Sequence, residues 1–201
     1  MKYRLQKQMQ TVFLELITIK TLILNGSPRK NGDTSFLINK VISGLDGEYK
    51  LVNAYYSNIS PCIDCRACRY KNGCSINDDM NTVYSYIEEC DNILIASPLY
   101  FSELTGRLLD AASRLQMYFS AKYFGGNEIP IKPKRGAVIL TGGGMGKPDK
   151  AYDTAVMLLH NMNAFDICPP VYSLNTDKIP ACEDKNALSQ AERISDFFNM
   201  S

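Results

Sequence analysis

Apolar positions along the chain follow two patterns in alternation. Thr21 to Asn25, Ile93 to Ser97 and Gly136 to Thr141 are short runs, apolar nearly throughout, that stop at turn residues. Such runs mark strands buried on both faces. Between them apolar residues recur at helical spacing. Phe36, Leu37, Val41, Ile42 and Leu45 form a stripe behind Asp33, Thr34 and Ser35, which are good N-cap residues. Met80, Val83, Tyr84 and Ile87 predict a helix over 79–89. Further helices are predicted over 104–118, 151–162 and 187–199, the last with Leu188, Ala191, Ile194 and Phe198 on one face. Tyr49 to Tyr55 reads as the second strand and Ile167 to Tyr172 as the fifth, which Pro169 and Pro170 shorten or confine to an edge.

Strands alternating with helices build a parallel sheet covered on both faces, because each right-handed crossover lays its helix on the sheet. The expected architecture is α/β, a three-layer sandwich around a five-stranded parallel sheet in order 2-1-3-4-5. Residues 20–201 are read as one domain and residues 1–19 as an N-terminal extension of unclear role. In the extension Lys2, Arg4 and Lys7 precede an apolar stretch from Val12 to Ile19, but Glu15 interrupts it and no small-residue cleavage site follows. An added strand, a short helix or a mis-set start fits it better than a signal peptide.

Charge narrows the partners. The 22 basic and 21 acidic residues leave a net charge of +1, so no broad attraction to nucleic acid or an anionic membrane is expected. No run of roughly 18 uninterrupted apolar residues predicts a membrane-spanning helix. The seven cysteines are odd in number and four fall within thirteen residues, a pattern of reduced thiols in a reducing, cytoplasmic setting rather than of a secreted disulfide framework.

Ligands of doubly wound sheets bind at the carboxyl ends of the strands. That rule selects the loops after Asn25, Ser97 and Thr141. The first, from Asn25 to Ser35, combines small, hydroxyl and basic residues with a helix N-terminus, whose free N–H groups suit a phosphate. It also fits a plain polar turn, and it matches neither the Walker loop nor the Gly-x-Gly-x-x-Gly dinucleotide pattern. The second, Ser97-Pro98-Leu99-Tyr100-Phe101-Ser102, offers apolar and aromatic groups to a flat ligand, unless those rings tuck into the core. The third, Thr141-Gly142-Gly143-Gly144, lets backbone approach a ring closely.

Cys62, Cys65, Cys68 and Cys74 lie between the second strand and the helix near residue 79. Thiolates so spaced can serve a [4Fe-4S] centre, a structural zinc, or remain as reduced or disulfide-prone thiols. Cys90, Cys168 and Cys182 read as buried small hydrophobes, and His160 as a surface residue at a helix end.

The stretches Ile23 to Ser35, Pro61 to Met80 and Ala96 to Gly106 together resemble the NADPH-dependent FMN reductase and iron-sulfur flavoprotein branch of the flavodoxin-like superfamily. The resemblance implies that Ser27, Arg29, Thr34 and Ser35 hold the phosphate of FMN, that Pro98, Leu99, Tyr100 and Phe101 line its isoalloxazine, and that Thr141, Gly142 and Gly143 lie along the other edge. It implies an FMN-dependent NAD(P)H oxidoreductase, with NAD(P)H as substrate and a small-molecule or protein electron acceptor. The alternative is an electron-transfer protein that carries a [4Fe-4S] centre on Cys62, Cys65, Cys68 and Cys74 and works with a ferredoxin-like partner. No catalytic side chain is expected. A homodimer or tetramer is, from the aromatic segment Met117 to Pro130. Departures are Asp33 where relatives often carry Asn, expected to cap its helix from the side away from the phosphate, and Leu109 and Ser113 where Lys and Asp are frequent, with Arg114 kept.

Overall fold

The computed structural model describes residues 18–125 and 129–200. Strands β1 (Lys20–Asn25), β2 (Glu48–Asn53), β3 (Asn92–Pro98), β4 (Lys134–Gly142), β5 (Ala164–Ile167) and β6 (Val171–Leu174) alternate with helices α1 (Asp33–Ile42), α2 (Met80–Glu89), α3 (Gly106–Ser113), α4 (Gln116–Ser120), α5 (Asp149–Asn161) and α6 (Lys185–Asn199). All strand pairs are parallel, in the order β2-β1-β3-β4-β5, with β6 also paired to β4. The expected α/β sheet order holds, and the fifth position is filled by two short strands in line. Pro169 and Pro170 divide them because proline brings no N–H to a ladder.

Side chains alternate across each strand; the inner strands β1, β3 and β4 are buried on both sides, whereas the outer strands β2 and β5 leave Tyr49, Leu51 and Phe165 exposed. Leu22, Ile93, Ile95, Val138 and Leu140 face α2, α3, α4 and α5, whereas Ile23, Leu94, Ala96, Ala137 and Ile139 face α1 and α6. Met80, Val83, Tyr84 and Ile87 are buried as their spacing predicts, but Phe36 is exposed and leaves the α1 stripe to Leu37, Ile38 and Val41.

The predicted helix over 104–118 is two helices. Near its middle the N–H groups of Arg114 and Leu115 bond three residues back, to Ala111 and Ala112 at 3.1 and 2.9 Å, and the Arg114 carbonyl accepts the Tyr84 hydroxyl at 2.8 Å. A tightened turn with a carbonyl drawn aside ends the regular ladder. A π-helical turn, Ala121–Gly125, follows α4. The segment offered for self-association falls partly outside the described residues; within it Met117 and Tyr118 are buried, while Phe119, Tyr123 and Phe124 are exposed. The readings of the extension up to residue 17 lie outside the described residues.

Ile93 and Leu94 are adjacent, wholly buried, and point to opposite layers. Ile93→Ala and Leu94→Ala are therefore each expected to lower the unfolding free energy by about 2 to 5 kcal/mol, measured by urea denaturation. A near-zero loss in either would mean that its face of the sheet is not covered.

Candidate functional site

Three strand ends converge at the carboxyl edge. Leaving β1, the chain turns at Gly26, where a Cβ would come within 2.9 Å of Thr105, Leu108 and Ser97 side-chain atoms, so only glycine fits without displacement. Thr105 donates its hydroxyl to the Gly26 carbonyl at 2.8 Å, and Ser97 Oγ accepts the Thr105 N–H at 3.1 Å. These bonds tie the first loop to the end of β3 and the start of α3.

Asn25 and Asn53 end the neighbouring strands β1 and β2 in register. Each carboxamide accepts an N–H two residues on, from Ser27 at 2.8 Å and from Tyr55 at 2.9 Å, and Asn53 also donates to the Ser27 carbonyl at 3.0 Å. The Tyr56 hydroxyl donates to the Pro28 carbonyl, and Lys30 stands 5.0 Å over the Tyr56 ring. The turn-forming habit of Asn at a strand end was the available signal for Asn25 and Asn53. Nothing local to Tyr56 or Thr105 announced them.

Gly32, not Asp33, Thr34 or Ser35, is the N-cap of α1, and no side chain caps the helix. The Asp33 carboxylate instead accepts the Ala181 N–H at 2.9 Å, which corrects the expected helix cap. Free N–H groups of a first turn carry partial positive charge, so an uncapped start with a carboxylate drawn away fits a phosphate. Ser27 and Ser35 are buried and both donate hydroxyls to the Arg29 carbonyl, at 3.2 and 2.8 Å, while Arg29 is exposed. Thr34 and Thr141 share a hydroxyl bond of 2.7 Å, which brings the first and third loops together.

The second loop joins them through the Leu99 N–H, which bonds the Thr141 carbonyl at 2.8 Å. Tyr100 and Glu103 then close a tight turn by reciprocal bonds of 2.9 and 3.1 Å, with Phe101 and Ser102 between them at φ of 54° and 59°. Left-handed backbone is costly for such residues and persists where surroundings enforce it. Glu103 does so here, accepting the Leu104 N–H at 2.8 Å and the Thr154 hydroxyl at 3.1 Å. Pro98 and Leu99 are half-buried, Tyr100 is exposed and Phe101 is wholly so. The aromatics thus stand clear of the core. In the third loop a Cβ on Gly143 would meet the Asp177 carboxylate at 2.7 Å, so this glycine makes room for the turn after β6, whereas Gly144 has open space around it.

Cys62, Cys65, Cys68 and Cys74 line one concavity with Arg114, Ser75 and Met117. Cys65 Sγ lies 3.1 Å from the Ser75 hydroxyl, which together with the Ala67 N–H holds the thiol below its ordinary 9.0. Among the described residues no three His, Cys, Asp or Glu side chains gather closely enough to hold a metal ion. A tetrahedral zinc holds its thiolates about 4 Å from one another, so the donors as placed do not fit that ion. The donor set, four thiols lining one hollow, is chemically that of a cluster that takes one thiolate per iron. Cys90 and Cys168 are buried as expected, burial pushing the Cys90 thiol up to about 11, but Cys182 is exposed. His160 ends α5 and stacks on Phe165 with ring centres 4.7 Å apart.

Both ends of the cysteine loop are held. Arg114 Nη1 donates to the Ser60 carbonyl at 2.9 Å and to Asp78 Oδ2 at 2.7 Å, and Nη2 to the Ile76 carbonyl at 3.2 Å. Asp78 accepts the N–H groups of Ser60 and Met80 at 2.9 and 3.0 Å, and Ser113 Oγ accepts the Cys62 N–H at 2.9 Å. The two charges are buried, at 0% and 4% side-chain exposure. Burial alone would raise the Asp78 carboxyl, but Arg114 and the two N–H groups outweigh it and hold the group below its ordinary 3.8.

The family model described as NADPH-dependent FMN reductase matches residues 19–178. An iron-sulfur flavoprotein of Archaeoglobus fulgidus is 27% identical over 179 residues, which cover 88% of this chain and 77% of that protein. Another iron-sulfur flavoprotein, of Methanocaldococcus jannaschii, is 26% identical over 123 residues, 58% of this chain and 64% of its own length. Among solved structures, an FMN-dependent NADH-azoreductase from Bacillus anthracis in complex with FMN superposes with a TM-score of 0.64 at 16% identity, covering 90% of this chain and 99% of that one. That likeness is one of fold.

Removing one member of a buried ion pair leaves the other uncompensated. Asp78→Asn is expected to cost about 3 to 5 kcal/mol at neutral pH by urea denaturation. A depressed carboxyl stabilises the fold above its unfolded pKa, and that contribution disappears as pH falls through the folded one. Wild-type stability should therefore decline on acidification below about pH 4 more steeply than that of the variant. Parallel pH profiles would contradict the pairing.

Proposed function

Because the chain belongs to the NADPH-dependent FMN reductase family, we propose that the three convergent loops are its FMN site and that it passes electrons from NAD(P)H to a small-molecule or protein acceptor. The observation that carries this reading is the Thr34–Thr141 bond beside the uncapped start of α1, which joins a phosphate-suited turn to the strand ends where a flat ring can lie. When bound, FMN supplies the hydride and electron chemistry itself, so the chain need supply no acid or base.

The residues divide the work of binding. The first-turn N–H groups of α1, with the hydroxyls of Thr34 and Ser35 and the side chains of Ser27 and Arg29, hold the phosphate. Pro98, Leu99, Tyr100 and Phe101 line the isoalloxazine, and Thr141, Gly142 and Gly143 lie along its other edge. A rigid turn at Tyr100 to Glu103 keeps the aromatic wall in place before any ligand arrives, which lowers the ordering cost of binding. Residues 20–201 act as one domain with residues 1–19 as an extension. The exposed Phe119, Tyr123 and Phe124 favour assembly into a homodimer or tetramer. No helix among the described residues is long and apolar enough to cross a membrane, and seven free thiols favour a reducing compartment such as the cytoplasm.

A second reading has its own support: four thiols around one hollow that Arg114 also lines, with the buried Nε of that arginine left without a hydrogen-bond partner. In this reading Cys62, Cys65, Cys68 and Cys74 hold a [4Fe-4S] centre, and the protein exchanges electrons with a ferredoxin-like partner. The group would add one-electron chemistry to the site.

Thr34→Ala/Ser35→Ala is expected to weaken FMN binding by about 1 to 3 kcal/mol, read by fluorescence titration of the flavin. Unchanged affinity would sink the phosphate assignment. For the second reading, anaerobic incubation with iron and sulfide should load wild type fully and Cys65→Ser less. Equal loading, or none in either, would rule out the ligand set.

A further inference from the structure

Arg114 closes α3 with its side chain wholly buried. A guanidinium carries five N–H donors and no acceptor. Three of them, two on Nη1 and one on Nη2, reach Ser60, Asp78 and Ile76, while Nε is buried and has no hydrogen-bond partner among the described residues. Ser60 lies two residues before Cys62, and Ile76 two residues after Cys74. One side chain therefore grips the four-cysteine loop at both ends, and the preceding residue, Ser113, holds the Cys62 N–H. The loop between makes few such bonds. Asp64 and Arg66 adopt left-handed φ of 48° and 61°, and its one regular piece is the single turn Ala67–Arg69.

An orphaned donor in a buried wall costs free energy unless something in the hollow accepts it. Four cysteine sulfurs line that hollow with Arg114, beside Asp64, Ser75, Gln116 and Ser120, and anionic sulfur is an acceptor. We propose that Arg114 is the positioning residue of the four-cysteine site: it fixes the ends of the loop so that the hollow exists before loading, and it donates its Nε–H to an anionic sulfur of the group held there. The second half of this inference rests on the [4Fe-4S] reading of the loop; the first half does not. A hydrogen bond and a positive charge at a cluster sulfur stabilise the more negative, reduced state and raise its potential. A purely structural clamp would leave the potential where the cysteines alone set it.

Arg114→Lys separates these roles, because lysine keeps a charge beside Asp78 but lacks both the fork and the Nε–H. In iron-free protein, hydrogen exchange at the Ser60 and Cys62 amides, which are bonded in wild type, is expected to be at least tenfold faster in Arg114→Lys than in wild type, with β1 and β3 unchanged. Equal exchange in the loop overturns the positioning role. After anaerobic loading with iron and sulfide, the midpoint potential of the iron centre is expected to move negative in the variant at similar iron content. Equal potentials overturn the bond to sulfur. Failure of wild type to take up iron overturns the ligand reading and that bond with it, while the exchange comparison still decides the positioning role. Should Arg114→Lys fail to fold, Ser113→Ala at its exposed position frees the Cys62 end alone. Faster exchange there supports positioning by the end of α3, and unchanged exchange overturns it.

Discussion

Burial of the central strands β1, β3 and β4 on both faces is the constraint on which everything else depends. With α1 and α6 on one side and α2 to α5 on the other, no side chain in the middle of β1, β3 or β4 is free to meet a ligand. Chemistry is pushed to the ends of the strands, and the right-handed crossovers gather the β-to-α loops at one edge. The Thr34–Thr141 hydroxyl pair, the Thr105–Gly26 bond and the Leu99–Thr141 bond all lie along that edge and hold three separately encoded loops in one arrangement.

The cysteine loop is built on a different principle. Its hollow is not a by-product of sheet topology but hangs from a buried ion pair, Arg114 with Asp78, whose hydrogen bonds reach Ser60, Ile76 and Met80. Such a pair has a large desolvation penalty and persists because its remaining donors and acceptors are bonded. Here every nitrogen and oxygen of the two charged groups has at least one partner except Nε. The same residue lies at the break in the helix predicted over 104–118, where its carbonyl accepts the Tyr84 hydroxyl while its side chain holds the ends of the cysteine loop.

Legibility in the sequence followed the range of the interactions. The three central strands could be read because burial on two faces leaves unbroken apolar runs, the sheet order because strands alternate with helices, and the α2 stripe because its spacing is local. The three loops could be located from strand ends alone. What the sequence hid was long-range: that Gly32 rather than Asp33 caps α1, because Asp33 is drawn to Ala181, far away in the chain; that Gly143 makes room for Asp177; and that Arg114 and Asp78 pair across the cysteine loop. Phe36 misled because exposed aromatics and core aromatics share the same helical spacing. The split of the last edge strand was half legible, since two prolines forbid a continuous ladder without saying that pairing resumes beyond them.

An FMN held by the convergent loops at the carboxyl edge should be reducible by a nicotinamide. The most direct test is the visible absorbance spectrum of anaerobically purified protein supplied with FMN, recorded before and after a stoichiometric addition of NADPH or NADH. Protein-bound flavin at one per chain is expected, bleached on addition of at least one of the two nicotinamides. Protein that retains no flavin after gel filtration, or bound flavin that neither nicotinamide bleaches, would contradict this reading.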